Sequence, residues 1–158
     1  MVAPASVLIA RWRRLDAAMS RARAADVGSA TEMPDAVVAV LHATYDLWEV
    51  WRREAQLSRK AQNERAGRDG GGQTAAALIS ARGGTTHEPV DFARNEGFGR
   101  QPFGVTPLGG GWYWQAYVDD REKVRAGWYA SRVRWKPVLL PLEVAHEWLA
   151  SQPEIAHP

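Results

Sequence analysis

Arg82 and His87 are the two residues of this sequence whose types and spacing best suit chemistry. They stand at the two ends of the motif RGGTTH, with four residues between them. A guanidinium group binds phosphate oxygens through paired hydrogen bonds and stays positively charged at any working pH. An imidazole titrates near neutral pH, so it can give or take a proton. The pair therefore indicates chemistry at a phosphate group.

A helix must position Arg82, because an apolar, alanine-rich run leads directly into it. We predict that this helix begins near residue 73 or 74 and that the pair Gly83-Gly84 weakens or ends it. On an unbroken helix the side chains of Arg82 and His87 would point about 140° apart. They reach a shared site more easily if the helix breaks at the glycines and restarts, and residues 85–88 supply an N-cap pattern for that restart.

Two longer amphipathic helices are predicted before this one. The first covers residues 6–25, and the second starts near Thr31 or Asp35. Residues 58–72 lack an apolar stripe and predict a polar helix end that dissolves into a mobile loop. The predicted core faces consist of Leu8, Trp12, Leu15 and Met19 in the first helix and Val37, Leu41, Tyr45, Trp48, Trp51 and Ala55 in the second.

The C-terminal part of the sequence predicts strands followed by one helix. Residues 91–111 contain six glycines and two prolines, which favours an irregular crossing. The runs 112–118 and 128–135 are aromatic and β-prone, so they are predicted to pair as a hairpin across a long connection. Residues 141–151 show helical spacing and predict a closing helix.

These elements predict a mainly α fold, namely an antiparallel helical bundle with a small C-terminal Trp-rich β-hairpin and a closing helix. Residues 1–95 would form the bundle that carries the motif. Residues 96–158 would supply the crossing, the hairpin and the closing helix, packed on the bundle as one compact unit.

The Arg82-x4-His87 pattern resembles the signature of the HEPN superfamily, whose members are four- or five-helix bundles and often metal-independent endoribonucleases. In that family the motif lies late in a helical domain, behind an apolar run, as Arg82 does here. The order of the motif, a Trp-rich segment and a short closing helix also looks like HEPN-type proteins of actinobacteria and their phages.

The resemblance implies a composite site across a homodimer, in which Arg82 and His87 of both chains face one RNA phosphate. Arg82 would stabilise the charge of the transition state, and His87 would move a proton at the ribose 2′-hydroxyl or the leaving 5′-oxygen. It implies no cofactor and no metal, products with 2′,3′-cyclic phosphate ends, and a toxin or phage-defence role with an antitoxin as a protein partner. The sequence departs from the family where a polar residue commonly follows the arginine, because Gly83 stands there.

Composition excludes some classes of protein. The 158 residues include no cysteine, which excludes a disulfide framework, a thiolate zinc site and a cysteine nucleophile. The net charge is only +2, and 17 of the 20 basic residues are arginine, so charge alone indicates little. The early apolar run over residues 7–10 is too short for a signal peptide or a membrane span, and we predict a cytoplasmic protein without a membrane partner.

The aromatic residues of the C-terminal part admit two interpretations. Bases of single-stranded nucleic acid could stack on Trp114 beside Arg125, Arg132 and Arg134, or the rings could form a small core. The core is the more economical interpretation, because a small sheet needs bulky rings to pack on a bundle. His42 falls between the polar and apolar faces of the second helix and is interpreted as an ordinary boundary residue.

Three hypotheses for function remain open at the level of the sequence. The first is an RNA-cleaving enzyme that uses Arg82 and His87. The second is a catalytically silent binding or regulatory protein of the same fold, in which these two residues cap structure or lie apart. The third is a small structural protein of a phage assembly. No Walker loop, dinucleotide fingerprint, nucleophile elbow or metalloprotease helix is present in the sequence.

Overall fold

The computed structural model describes residues 4–26, 32–82, 90–93, 111–116 and 123–156. Within these ranges the chain is mainly helical, with seven helices and one sheet of two antiparallel strands. The elements are α1 (Pro4–Asp26), α2 (Met33–Glu54), α3 (Arg59–Ala66), α4 (Gly70–Arg82), β1 (Val90–Ala93), β2 (Gly111–Trp114), α5 (Lys123–Arg132), α6 (Leu139–Ala150) and α7 (Pro153–Ala156).

The two long helices α1 and α2 pack along each other through the apolar faces that the sequence predicts. Leu15 and Met19 of α1 are almost completely buried, as are Leu41 and Trp51 of α2. Pro34 lies in the first turn of α2, where its missing N–H costs no helical hydrogen bond. The predictions of these two helices, and of their core faces, are therefore confirmed.

The prediction of a loop over residues 58–72 is wrong, because this stretch forms α3 and the start of α4. Ser58 caps α3 by accepting a hydrogen bond from the backbone N–H of Ala61. Gly72 lies so close to α3 that a Cβ atom there would come within 2.2 Å of the carbonyl oxygen of Ala66. The glycine run, which in the sequence indicates a loop, thus allows α3 and α4 to approach closely.

The predicted pairing of the hairpin is wrong in its second half. Residues 123–132 form the helix α5, which buries Tyr129 against the core, and the alternation over 128–135 does not produce a strand. The partner of β2 is β1, with Val90 opposite Trp114, so residues 90–93 are a strand rather than part of an irregular crossing. Residues 94–110 of that predicted crossing lie outside the described residues.

The segment after α5 lies against β2 and forms backbone hydrogen bonds with it. The N–H of Trp135 donates to the carbonyl of Trp114, and the N–H of Val138 donates to the carbonyl of Trp112, over 2.9 and 3.0 Å. Trp135 takes a left-handed conformation with φ of 61° at this return. The end of the second aromatic run thus meets the backbone of β2 after α5 has stopped, and the hydroxyl group of Tyr129 within α5 donates to the carbonyl of Gln115, directly after β2.

The closing helix is confirmed as α6, and α4 lies at the centre of the packing. The helix α4 contacts α2, α3, α5 and α6. Trp48 and Trp51 of α2 meet Trp148 of α6, with ring centroids 6.1 and 5.7 Å from that of Trp148. The proposed boundary between residues 95 and 96 lies outside the described residues, so the two-part division stays a prediction. None of the helices described here has the length and apolar character that a membrane span requires.

Candidate functional site

Arg82 is the last residue of α4 that the structure describes. Every residue from 74 to 81 is buried, whereas Arg82 itself is half-buried. The fold therefore holds the backbone of Arg82 rigidly and places its side chain at the margin of the core.

Two side chains of α2 hold the guanidinium group of Arg82. Its Cζ lies 3.9 Å from the centroid of the Tyr45 ring, and its Nε donates a hydrogen bond of 3.4 Å to Nδ1 of His42. His42 and Tyr45 share a face of α2 because residues three apart are neighbours on a helix surface. Because Nδ1 accepts this bond, a neutral His42 carries its proton on Nε2.

These contacts involve Nε and the face of the guanidinium, so among the described residues no hydrogen bond occupies the two terminal nitrogens of Arg82. No carboxylate of a described residue lies within ion-pair distance of Arg82. The aromatic face of Tyr45 attracts the cation without neutralising it. The paired terminal donors can therefore bind a phosphate group through two hydrogen bonds.

An open groove of about 340 Å³ lies between α1 and α2, and Tyr45 is one of the residues that line it. Tyr45 belongs to both features, since its ring carries Arg82 and also lines the groove. The volume is in the range of small-molecule sites, which begins at about 300 Å³. The other charged residues that line the groove are Arg11 from α1 and Asp46, Glu49, Arg52 and Arg53 from α2.

Both carboxylates of the groove pair with arginines. Asp46 lies 2.8 Å from Arg14 and 3.8 Å from Arg11. Glu49 pairs with Arg52 at 2.9 Å, and its backbone carbonyl accepts a hydrogen bond of 3.2 Å from Nε of Arg53. The carboxylates thus hold the arginines in place without cancelling their charge.

His87, the second predicted catalytic residue, lies outside the described residues, as do Gly83 and Gly84. The predicted approach of His87 to Arg82, and the predicted helix restart between them, therefore stay predictions. The structure brings His42 to Arg82 instead. From the sequence, His42 is interpreted as a boundary residue, because the residues around it in α2 do not reveal that Arg82 of α4 lies beside it.

Trp114 lies in the core, where no ligand can stack on it. It is fully buried, and its indole N–H donates to the carbonyl of Val138 over 3.0 Å. The indole therefore anchors β2 to the segment that leads into α6. The alternative in which the aromatic residues form a small core accounts for Trp114.

The three arginines predicted for binding lie on or just after α5. Arg125 donates to the side chain of Asn63, and Nε of Arg132 donates to the side chain of Gln73 over 2.7 Å, so both link α5 to neighbouring helices. Arg134 is exposed, with its guanidinium 5.5 Å from the ring of Trp135. None of the three shares a hydrogen bond or an ion pair with Arg82 within the part of the chain that the structure describes.

A second histidine contact joins α1 to α6. Nε2 of His146 lies 2.6 Å from a carboxylate oxygen of Asp16, and its ring stacks on Trp12 with 4.7 Å between centroids. Both partners belong to α1, so His146 joins α6 to that helix. Among the described residues, no group of three or more His, Asp or Glu side chains is arranged to hold a metal ion.

Comparison of the chain with protein-family models, with curated proteins and with solved structures finds no match. The interpretation of the site therefore rests on the residues and their geometry.

Proposed function

We propose that this chain is an endoribonuclease of HEPN type that cleaves RNA without a metal ion, and that Arg82 binds the scissile phosphate. The proposal rests on the contacts and the charge of the Arg82 guanidinium. Its guanidinium is held by Tyr45 and His42 and lacks a carboxylate partner among the described residues, and the same Tyr45 also lines a groove that carries three arginines. A fixed, uncompensated cation is what a phosphate in a transition state requires.

His87 supplies the proton transfer in this proposal. As a base, the neutral imidazole takes the proton of the ribose 2′-hydroxyl, and the 2′-oxygen attacks the phosphorus. The bond from phosphorus to the 5′-oxygen breaks, and that oxygen leaves with a proton from a second imidazole. The products are a 2′,3′-cyclic phosphate and a 5′-hydroxyl, and Arg82 stabilises the charge that builds on the phosphate oxygens.

The site is proposed to be completed across a homodimer. One chain offers one Arg82 and one His87, whereas the reaction uses one imidazole as base and another as acid. A two-fold interface supplies both from identical chains. A toxin or phage-defence role, with an antitoxin as a protein partner, is part of the same proposal.

The proposal is tested by incubating the purified protein with mixed labelled RNAs in EDTA. Wild-type protein is expected to produce cyclic-phosphate ends, and Arg82→Ala and His87→Ala are expected to lose cleavage while circular dichroism shows them folded. Arg82→Lys is the matched control for charge, and it should recover only part of the activity because an ammonium group lacks the paired donors. Absence of cleavage by folded wild-type protein across several RNAs would refute the proposal.

His42 is assigned a positioning role, and one substitution tests this assignment. In His42→Asn the side-chain oxygen can accept the hydrogen bond from Arg82, so this variant should keep most of the activity. A loss as complete as that of His87→Ala would make His42 a proton-transfer group instead.

A catalytically silent binding protein is the second candidate, and one observation favours it. Arg82 already has two partners within the chain, so it could serve only to join α4 to α2. In that case Arg82→Ala would lower the melting temperature, and the wild type would cleave no RNA.

A further inference from the structure

We infer that the groove between α1 and α2 binds the nucleotides that flank the scissile phosphate, through their phosphate groups. The inference rests on the proposed function, because it takes the RNA cleaved at Arg82 as the ligand. It adds a second set of residues to the site, namely Arg11, Arg52 and Arg53, which the motif does not contain.

The position of the groove supports this assignment. Tyr45 carries the guanidinium of Arg82 on its ring and lines the groove as well, so a strand bound at Arg82 can continue directly into it. Along α2 the lining residues extend from Tyr45 to Arg53, a distance of about 12 Å at the helical rise per residue. A stacked nucleic acid strand rises by about 3.4 Å per nucleotide, so the groove accommodates more than one nucleotide.

The charges of the groove favour a polyanion. The groove is lined by three guanidinium groups, those of Arg11, Arg52 and Arg53, and by the two carboxylates of Asp46 and Glu49, which leaves one positive charge in excess. Arg53 is exposed and forms no ion pair within the described residues, so its terminal donors can reach a phosphate. Phosphate contacts of this kind position a strand without reading its sequence.

The test measures binding of a short, mixed-sequence RNA in which every 2′-hydroxyl is methylated. This probe lacks the nucleophile of the proposed reaction, so binding is observed without cleavage. The double variant Arg11→Gln/Arg53→Gln is expected to bind about tenfold more weakly than the wild type in fluorescence anisotropy. Its plot of log affinity against log salt concentration should also be shallower, by about 1.

The matched control is Arg13→Gln/Arg68→Gln, which removes the same charge at two exposed arginines outside the groove. This control should keep the affinity and the salt dependence of the wild type within about twofold. An equal loss in both double variants would show that only net charge matters, and it would overturn the inference. If Arg11→Gln/Arg53→Gln does not fold, the single change at the exposed Arg53 makes the same comparison with Arg68→Gln.

The result is separable from the result of the cleavage experiment. Selective loss of binding in the groove variant supports the groove even if unmodified RNA is not cleaved, and the proposed reaction would then fail alone. Cleavage that depends on Arg82, together with equal binding by the groove variant and the wild type, would overturn the groove and leave the reaction standing. Failure of the wild type to bind the probe would also overturn the inference.

Discussion

Two arginine side chains of this protein lie over the faces of aromatic rings. The guanidinium of Arg65 lies 5.3 Å from the ring centroid of Trp51, and that of Arg82 lies 3.9 Å from the ring of Tyr45. Arg65 also pairs with a carboxylate of Glu154, whereas Arg82 has no such partner among the described residues. The two contacts therefore differ in function, because one charge is satisfied internally and the other remains able to attract a ligand.

Tyr45→Leu is expected to lower kcat by about tenfold, because it removes the ring face that holds Arg82, a contact of about 1 to 2 kcal/mol. Tyr45→Phe keeps the face and should stay within about twofold of the wild type. Steady-state cleavage of RNA measures both. Equal losses in the two variants would show that the hydroxyl group matters rather than the ring.

Glu154→Gln is expected to lower the free energy of unfolding by about 1 to 2 kcal/mol at neutral pH. Burial alone would raise the pKa of Glu154, but hydrogen bonds from Arg65, from its own backbone and from Trp51, with the charge of Arg65, hold the pKa below 4.5. The ionised form is thus the stabilising one. Its contribution is complete above pH 4.5 and is lost as the pH falls through the lower value of the folded state.

Urea unfolding of the wild type and Glu154→Gln at several pH values measures this contribution. The difference in stability should shrink as the pH falls below 4.5. Glu64→Gln is the control, since the exposed Glu64 pairs only with Lys60 at 3.9 Å and should change stability by less than about 0.5 kcal/mol. A difference that stays constant with pH would mean that Glu154 acts by packing and not by charge.

At the scale of elements, the close approach of α3 to α4 depends on the absence of a side chain at residue 72. Gly72→Ala is expected to destabilise the fold by about 2 to 3 kcal/mol, because its Cβ would collide with the backbone of Ala66. Gly127→Ala in α5 meets no neighbouring atom, so it should stabilise by about 0.5 to 1 kcal/mol. Thermal and urea unfolding compare the two. Similar effects in both would mean that α3 and α4 can move apart at little cost.

The helices that were predicted correctly carry a clear apolar pattern in the sequence. Helical spacing of apolar residues predicts α1, α2 and α6, and a continuous alanine-rich apolar run predicts α4, whereas α3 buries only Gln62 and Ala66 and shows no stripe. The side chain of Gln62 is fixed by donating to the carbonyl of Trp48, a contact that sequence spacing does not reveal. In α5 an alternating aromatic pattern suits a strand as well as a helix, and packing of Tyr129 decides for the helix.

The candidate site was predictable only in part, because some of its residues are far apart in the sequence. Arg82 stands out by its motif, but His42 lies 40 residues earlier in the chain and meets Arg82 only because α2 packs on α4. The groove is equally a product of packing, since it needs α1 beside α2. Local sequence patterns identify residues whose side chains could take part in catalysis or binding. Tertiary contacts determine which of these residues lie together.

At the scale of the whole molecule, the composite site predicts complementation between inactive chains. Arg82→Ala and His87→Ala should each be inactive alone. When the two are unfolded together and refolded as a mixture, heterodimers would combine an intact Arg82 from one chain with the single intact His87 of the other, and water would replace the second imidazole as the acid. The mixture should cleave RNA faster than either variant.

The control for this experiment is a mixture of Arg82→Ala with a double variant that also lacks His87. Its dimers hold no site with both groups intact, so activity should stay at the level of the single variants. Failure of the first mixture, in a protein that sedimentation shows to be dimeric and that cleaves RNA as wild type, would show that one Arg82 and one His87 supplied by different chains are not sufficient for cleavage.

The burial of α4 on nearly all sides has a consequence for local opening of the fold. Its amides, enclosed by α2, α3, α5 and α6, are expected to exchange hydrogen with solvent only when the whole molecule unfolds, whereas the outer face of α1 exchanges through smaller fluctuations. Native-state hydrogen exchange followed by mass spectrometry measures both rates. The backbone of Arg82 would then keep its position while other elements open locally. The proposed site would therefore survive partial unfolding and would be lost only when the whole molecule unfolds.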